Sequence, residues 1–177
     1  TLAILTALAL AVPLALMGGA GAGRYPEAPG EVVYESGDLQ IDVSNARQGY
    51  VMAKYGGKKK VKLRISNGDA QYTYDFLGDD YNVLPLQMGD GAYRLLLYEQ
   101  VKGNQYAQAY SKKFDVRLDD PAAPFTYPNQ YVNFAPDSAA VAKSQSLLEG
   151  AETDRERYER VCEFVVANVK YDYIKAV

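Results

Sequence analysis

The residue best suited to covalent chemistry is Cys162, the single cysteine among 177 residues. A thiol attacks as its thiolate, which needs a neighbouring base or cation. The chain has no histidine, so neither a Cys-His nor a Ser-His-Asp arrangement can be assembled within it. A zinc site of the usual His/Cys kind is excluded for the same reason. One cysteine cannot form an internal disulfide. Asp79-Asp80 and Asp119-Asp120 are acidic pairs, but calcium requires more oxygen ligands at defined spacing. Such pairs are ordinary turn residues. No Gly-x-Gly-x-x-Gly run, P-loop or internal repeat is present. No catalytic, cofactor-binding or metal-binding residue is assigned, and no cofactor is expected.

Two groupings point instead to binding. Lys54, Lys58, Lys59, Lys60, Lys62 and Arg64 occur with no acid between Tyr50 and Arg64. They suit an anionic polymer such as a cell-wall component. The preferred reading is a solvated hairpin whose lysines protect an edge strand. The chain holds 16 tyrosines and no tryptophan. Aromatic rows on a β face can stack on sugar rings, but Tyr72, Tyr74 and Phe76 share one face. One face of each strand must be core, so they are read as core. Net charge is −3, which gives no general attraction to nucleic acid or anionic lipid.

The element that carries Cys162 is the best-defined helix. Thr153 is an N-cap, and Glu156 three residues on completes a capping box. Asp154 and Glu156 place negative charge at the positive end of the helix dipole. Tyr158, Val161, Cys162, Val165 and Val169 recur at three- and four-residue steps and form one stripe. Phe164 and Val166 widen that face, so the helix should pack against more than one neighbour. Cys162 falls on the stripe and is read as a packed small hydrophobe rather than a nucleophile. From Asp154 to about Lys170 the helix is roughly 25 Å long.

The run from Tyr158 to Ala176, especially Phe164 to Tyr173, resembles the opening helix of transglutaminase-like domains. Members often begin with a helix ending in a pattern like V-x-N-I-x-Y-D, which Val166, Asn168, Val169, Tyr171 and Asp172 fit. The resemblance implies a thiol enzyme with a papain-like α+β core, performing acyl transfer or amide hydrolysis. It also implies a nucleophilic cysteine a few tens of residues further on, then a histidine and an aspartate. None of that triad lies in these residues. The resemblance covers only the end of the chain, which is expected to be the truncated amino-terminal part of such a protein.

Along the rest of the chain, residues 1–23 carry no charge, and Leu2 to Met17 is almost continuously apolar. Ala20-Gly21-Ala22 fits a cleavage pattern, so this segment reads as a secretory signal, with an uncleaved membrane anchor as the alternative. Residues 24–30 form a short Pro/Gly linker. Residues 31–118 alternate apolar and polar in seven or eight short runs separated by turn signals, the pattern of an antiparallel sandwich. Leu39, Ile41 and Val43 alternate with Gln40 and Asp42. Val61, Leu63 and Ile65 alternate with Lys62 and Arg64. Asn67-Gly68 signals a hairpin, and Pro85 an edge strand. Tyr93, just after a glycine turn, resembles the tyrosine corner of immunoglobulin-like domains. Residues 119–136 hold four prolines and several aromatics, which suggests an ordered connector. Residues 137–177 are helical, with Asp137 or Ser138 capping a helix that ends at Gly150.

The fold expected is mainly β: an antiparallel immunoglobulin-like sandwich followed by two helices that begin a papain-like core. The function expected is the non-catalytic front of an exported transglutaminase-like protein. The alternatives are an extracellular binding or adhesion module and a membrane-anchored spacer. Expected partners are a protein or peptide substrate or a cell-surface component, no nucleic acid, and a membrane only through an uncleaved residue 1–23 segment. The location expected is secreted or at the cell surface. The two leading readings differ in one observable: the first leaves apolar surface exposed on the last helix, and the second covers it.

Overall fold

The computed structural model describes residues 24–76 and 79–170. The export segment read at 1–23 lies outside them. So do Leu77, Gly78 and the Tyr171-Asp172-Tyr173 end of the family-like pattern.

Eight strands form: β1 (Val33–Ser36), β2 (Leu39–Asp42), β3 (Tyr50–Tyr55), β4 (Val61–Asn67), β5 (Ala70–Asp75), β6 (Asn82–Pro85), β7 (Gly91–Lys102) and β8 (Gln105–Val116). They make two antiparallel sheets, ordered β1-β2-β3-β6 and β5-β4-β7-β8. Three hairpins close with two-residue Gly-X loops, at Gly37-Asp38, Gly68-Asp69 and Gly103-Asn104. The glycine of each has positive φ, and among the described residues no non-glycine does. Glycine first in the loop is the II′ hairpin signature, whose twist matches that of the strands. At Asn67-Gly68 the turn therefore falls one residue later than the Asn-Gly signal places it.

Alternation decides the core. Leu39 and Ile41 of β2, Val51 and Ala53 of β3, Leu63 and Ile65 of β4, Leu84 of β6, and Tyr93, Leu95 and Leu97 of β7 are all buried in one cluster. Both sheets contribute to it, so each inner face covers the other. Every such side chain taken fully out of water contributes on the order of 1.5–3 kcal/mol. Tyr74 joins the cluster, Phe76 packs against it, and Tyr72 at the strand end stays 43% exposed. The core reading of that row thus holds at its centre. Pro85 lies in β6, an edge strand, as its missing N–H requires.

Tyr93 opens β7 with its ring fully buried and its hydroxyl turned back to the chain behind it. The hydroxyl accepts from the Met88 N–H at 3.0 Å and faces the carbonyls of Leu86 and Gly89 at 3.0 and 2.9 Å. Asn67 Nδ2 donates to Met88 and Asp90 carbonyls, each at 3.0 Å. Together they fix the β6–β7 turn.

The outer face of the first sheet is also covered. Tyr50 and Met52 point away from the main core into a second cluster with Ala123 and Tyr127. The Tyr50 and Tyr127 rings are 4.4 Å apart. Residues 24–30 lie against this face: the Glu27 N–H donates to Tyr50 Oη at 3.1 Å, and Asn45 Nδ2 donates to the Glu27 carbonyl at 2.9 Å. Asp42 sits on the polar phase of β2 yet is buried, because the chain folds over it. Its carboxylate accepts from the N–H groups of Gly30 at 2.7 Å and Ser44 at 2.9 Å. The connector after β8 is ordered, pinned by the Arg47–Asp119 ion pair and by Gln130, which brackets the backbone of Asp75.

Two helices follow, α1 (Ala139–Leu148) and α2 (Asp154–Asn168). Ser138 caps α1 through its Oγ, which accepts from Val141 N–H at 3.4 Å. Glu149, one residue before Gly150, is the C-cap, and Gly150 has φ +71° in the turn beyond. Thr153 and Glu156 form the capping box of α2 in full. Val169 caps the other end, so the helix stops just short of Lys170.

Candidate functional site

Cys162 lies mid-way along α2 and is half-buried. Tyr158 lies one turn earlier on the same face, and its pKa is raised by its interaction with Cys162. A phenol is not a base at neutral pH, so this pair does not activate the sulfur. Among the described residues no group of three or more acids, histidines and cysteines could hold a metal. None of their helices is long and apolar enough to cross a membrane.

The apolar stripe of α2 is real but uncovered. Tyr158 is 71% exposed, Val165 45%, Val166 84% and Val169 61%. No residue of α1 or α2 is buried. Cys162 therefore belongs to a half-covered face and not to a packed core. What joins the two helices is largely polar. Arg160 Nη1 donates to the Glu149 carbonyl at 2.6 Å, and its guanidinium also reaches the Leu147 and Gly150 carbonyls. It satisfies carbonyls left open at the end of α1. Lys143 lies over the Phe164 ring at 4.8 Å.

The basic stretch is not the edge-protecting hairpin expected from the sequence: β3 and β4 lie in different sheets and both are interior strands, so Lys58, Lys59 and Lys60 sit on the crossover between the sheets. Lys59 pairs with Glu99, and Lys62 pairs with Asp75 at 2.7 Å. Both lysine pKa values are raised, by the hydrogen bond to the carboxylate first. Lys54 lies over the Tyr81 ring at 4.9 Å and Arg64 over the Tyr98 ring at 5.0 Å. Four of the six cations are thus engaged. Lys58 and Lys60 are exposed, with no side-chain partner among the described residues.

Of these residues, Lys59, Lys60 and Asp75 lie at one end of the two-sheet unit. A cleft of about 470 Å³ opens there between Tyr55, Gly57, Lys59, Lys60, Asp75, Phe76, Asp79 and Tyr106. On the other side of Tyr55 a smaller one of about 200 Å³ runs along Gly37, Asp38, Glu99 and Tyr110. The Tyr55 hydroxyl meets Glu99 at 3.4 Å. Burial first, then the Glu99 and Asp38 charges, push its pKa up. A Cβ on Gly57 would lie 2.4 Å from the Tyr55 ring, so only glycine lets that ring pack under the turn. Asp75, Glu99 and Tyr106 do not stand out in the sequence as site residues, and Phe76 reads there as core. The Asn67-Gly68 turn signal sets Lys62 opposite Thr73, and only the closure at Asn67 and Ala70 sets it opposite Asp75.

No family model, curated protein or solved structure matches this chain.

Proposed function

We propose that the β unit is the accessory, non-catalytic domain of an exported transglutaminase-like protein, and that α1 and α2 open its catalytic domain. The observation that carries this reading is the face of α2. It is a fully capped helix whose Val165, Val166 and Val169 are left in water. Burying such a face is the ordinary source of helix stability, and here the β unit does not supply it. A papain-like core packed on α2 would. The catalytic thiolate, its histidine base and the aspartate that orients it belong to that core, and acyl transfer or amide hydrolysis is its chemistry. Cys162 is not that nucleophile.

The β unit itself we read as an immunoglobulin-like sandwich. Setting β1 aside, the orders β2-β3-β6 and β5-β4-β7-β8 correspond to A-B-E and C′-C-F-G of that architecture. Tyr93 then falls at the start of strand F, with its hydroxyl bound to the backbone behind it, where a tyrosine corner belongs. Its role would be to hold a protein, peptide or surface component near the enzyme. A pure binding or adhesion module is the second reading, and the end cleft is what favours it.

The test is amine incorporation into a glutamine-bearing protein, alongside release of ammonia from it. It compares the product of the whole reading frame with these 177 residues. Thiol-dependent turnover by the longer protein alone supports the reading. Turnover by the 177 residues, or its loss on Cys162→Ser in either, contradicts it.

A further inference from the structure

The cleft at the end of the two-sheet unit has no part in the transglutaminase-like reading above. We propose that it is a binding site for an uncharged oligosaccharide, seated on Tyr106 and Phe76 and held at the rim by Lys60 and Asp79. Its volume of about 470 Å³ falls within the roughly 300–1,000 Å³ of small-molecule sites. Three aromatic rings line it, and the Tyr55 and Phe76 rings meet at 52° with centroids 6.1 Å apart. They form a corner rather than a flat wall. Tyr55 is only 7% exposed beneath Gly57 and backs Phe76, so the surface a sugar ring meets is that of Phe76 and of Tyr106, whose ring has the Lys62 ammonium 5.5 Å from its centroid.

The charges select among ligands. Lys59 and Lys62 are neutralised by Glu99 and Asp75. What remains free at the cleft, among the described residues, is one ammonium on Lys60 and one carboxylate on Asp79. A phosphate or an acidic polymer would meet a repelling carboxylate for each attracting ammonium. A purely apolar ligand would leave both groups unpaired and partly desolvated. A sugar hydroxyl both donates and accepts, so the hydroxyls of one oligosaccharide match both the Lys60 donor and the Asp79 acceptor that line the cleft.

The walls are held in place before any ligand arrives. The Gln100 N–H donates to the Lys60 carbonyl at 2.8 Å. Gln130 accepts from the Asp75 N–H and donates to its carbonyl. Gly57 lies directly over the Tyr55 ring. A preformed site loses less freedom on binding. Saccharide binding here is independent of whether α2 opens a catalytic domain.

The experiment is titration calorimetry on the full chain with cellohexaose, chitohexaose and mannohexaose, and with hexagalacturonate as the acidic comparison. Tyr106→Ala and Asp79→Asn test the site, and Tyr98→Ala, outside the cleft lining, is the control. Asp79→Asn changes one exposed atom type, so it reads out binding even if Tyr106→Ala loosens the fold. At least one neutral hexasaccharide is expected to bind, with Asp79→Asn and Tyr106→Ala each weakening it about tenfold or more and Tyr98→Ala leaving it unchanged. The proposal is overturned if no neutral sugar binds at about 10 mM, if only hexagalacturonate binds, or if Asp79→Asn has no effect.

Discussion

At the scale of single residues, buried tyrosines set how this fold responds to alkali. Tyr74 is pushed up to about 12 from the ordinary 10.0, by burial first and then by the nearby phenols of Tyr131 and Tyr72. Tyr50, Tyr55, Tyr93 and Tyr110 are raised in the same direction. A tyrosine with a raised folded-state pKa holds its proton more tightly when folded. Its contribution is complete below pH 10 and is lost as pH climbs towards 12. For Tyr74 the loss is on the order of 2–3 kcal/mol. Urea unfolding between neutral pH and strong alkali should show stability falling only above the ordinary tyrosine range, and Tyr74→Phe should flatten part of that fall. At the β6–β7 turn, Tyr93→Phe removes an acceptor from the Met88 N–H and a donor from two carbonyls. The expected cost is about 1–3 kcal/mol, read from the shift in urea midpoint. The aromatic identity of these positions was legible, because Tyr74 and Tyr93 fall on the apolar phase of their strands. The burial of Asp42 was not. It follows from residues 24–30 folding over the sheet, and that segment has no period to reveal it.

At the scale of elements, local signals were read well and partners were not. The capping box of α2 involves residues three apart in sequence, so it is visible without any tertiary structure. Thr153→Ala is expected to cost that helix about 0.5–2 kcal/mol, seen as reduced helical circular dichroism on heating. The Glu156 pKa is lowered by the N–H groups of Glu152 and Thr153. Its capping contribution is therefore present above the ordinary carboxylate range and is lost as pH falls through the lowered value. The face of α2 gives a sharper expectation. Val166→Asp touches a residue that is 84% exposed, so it should change the stability of this chain by no more than about 0.5 kcal/mol. In a longer protein that packs a core on α2 the same change should prevent that core from forming. The hairpin at Asn67-Gly68 was legible but its register was not: that signal sets Lys62 opposite Thr73, and the closure one residue later sets it opposite Asp75. The pairing of Lys59 with Glu99 spans forty positions and depends on how β3, β4 and β7 come together, which no local pattern encodes. That is why the lysine cluster looks more basic in sequence than the folded β3–β4 crossover is, and why it is no edge-protecting hairpin.

At the scale of the whole molecule, the β unit has a shared core and the helical pair has none of its own. Hydrogen exchange should follow this division. Amides of β3, β4 and β7 should exchange only through global unfolding, and those of α1 and α2 through local opening at much lower cost. Strand alternation made the mainly β architecture legible, since one face of each strand is buried and the other is not. The cover over the outer face of the first sheet comes from segments without alternation, and the end cleft gathers Tyr55, Val61, Asp75 and Tyr106 from four different strands, which no local pattern joins. The central claim concerns what α2 is for. The most direct test is to read the coding sequence that follows the codon for Val177. A cysteine opening a helix within a few tens of residues, with a histidine and then an aspartate after it, is the result expected for an accessory domain joined to a thiol acyl-transfer enzyme. A stop codon, or a continuation without those three residues in that order, would contradict it.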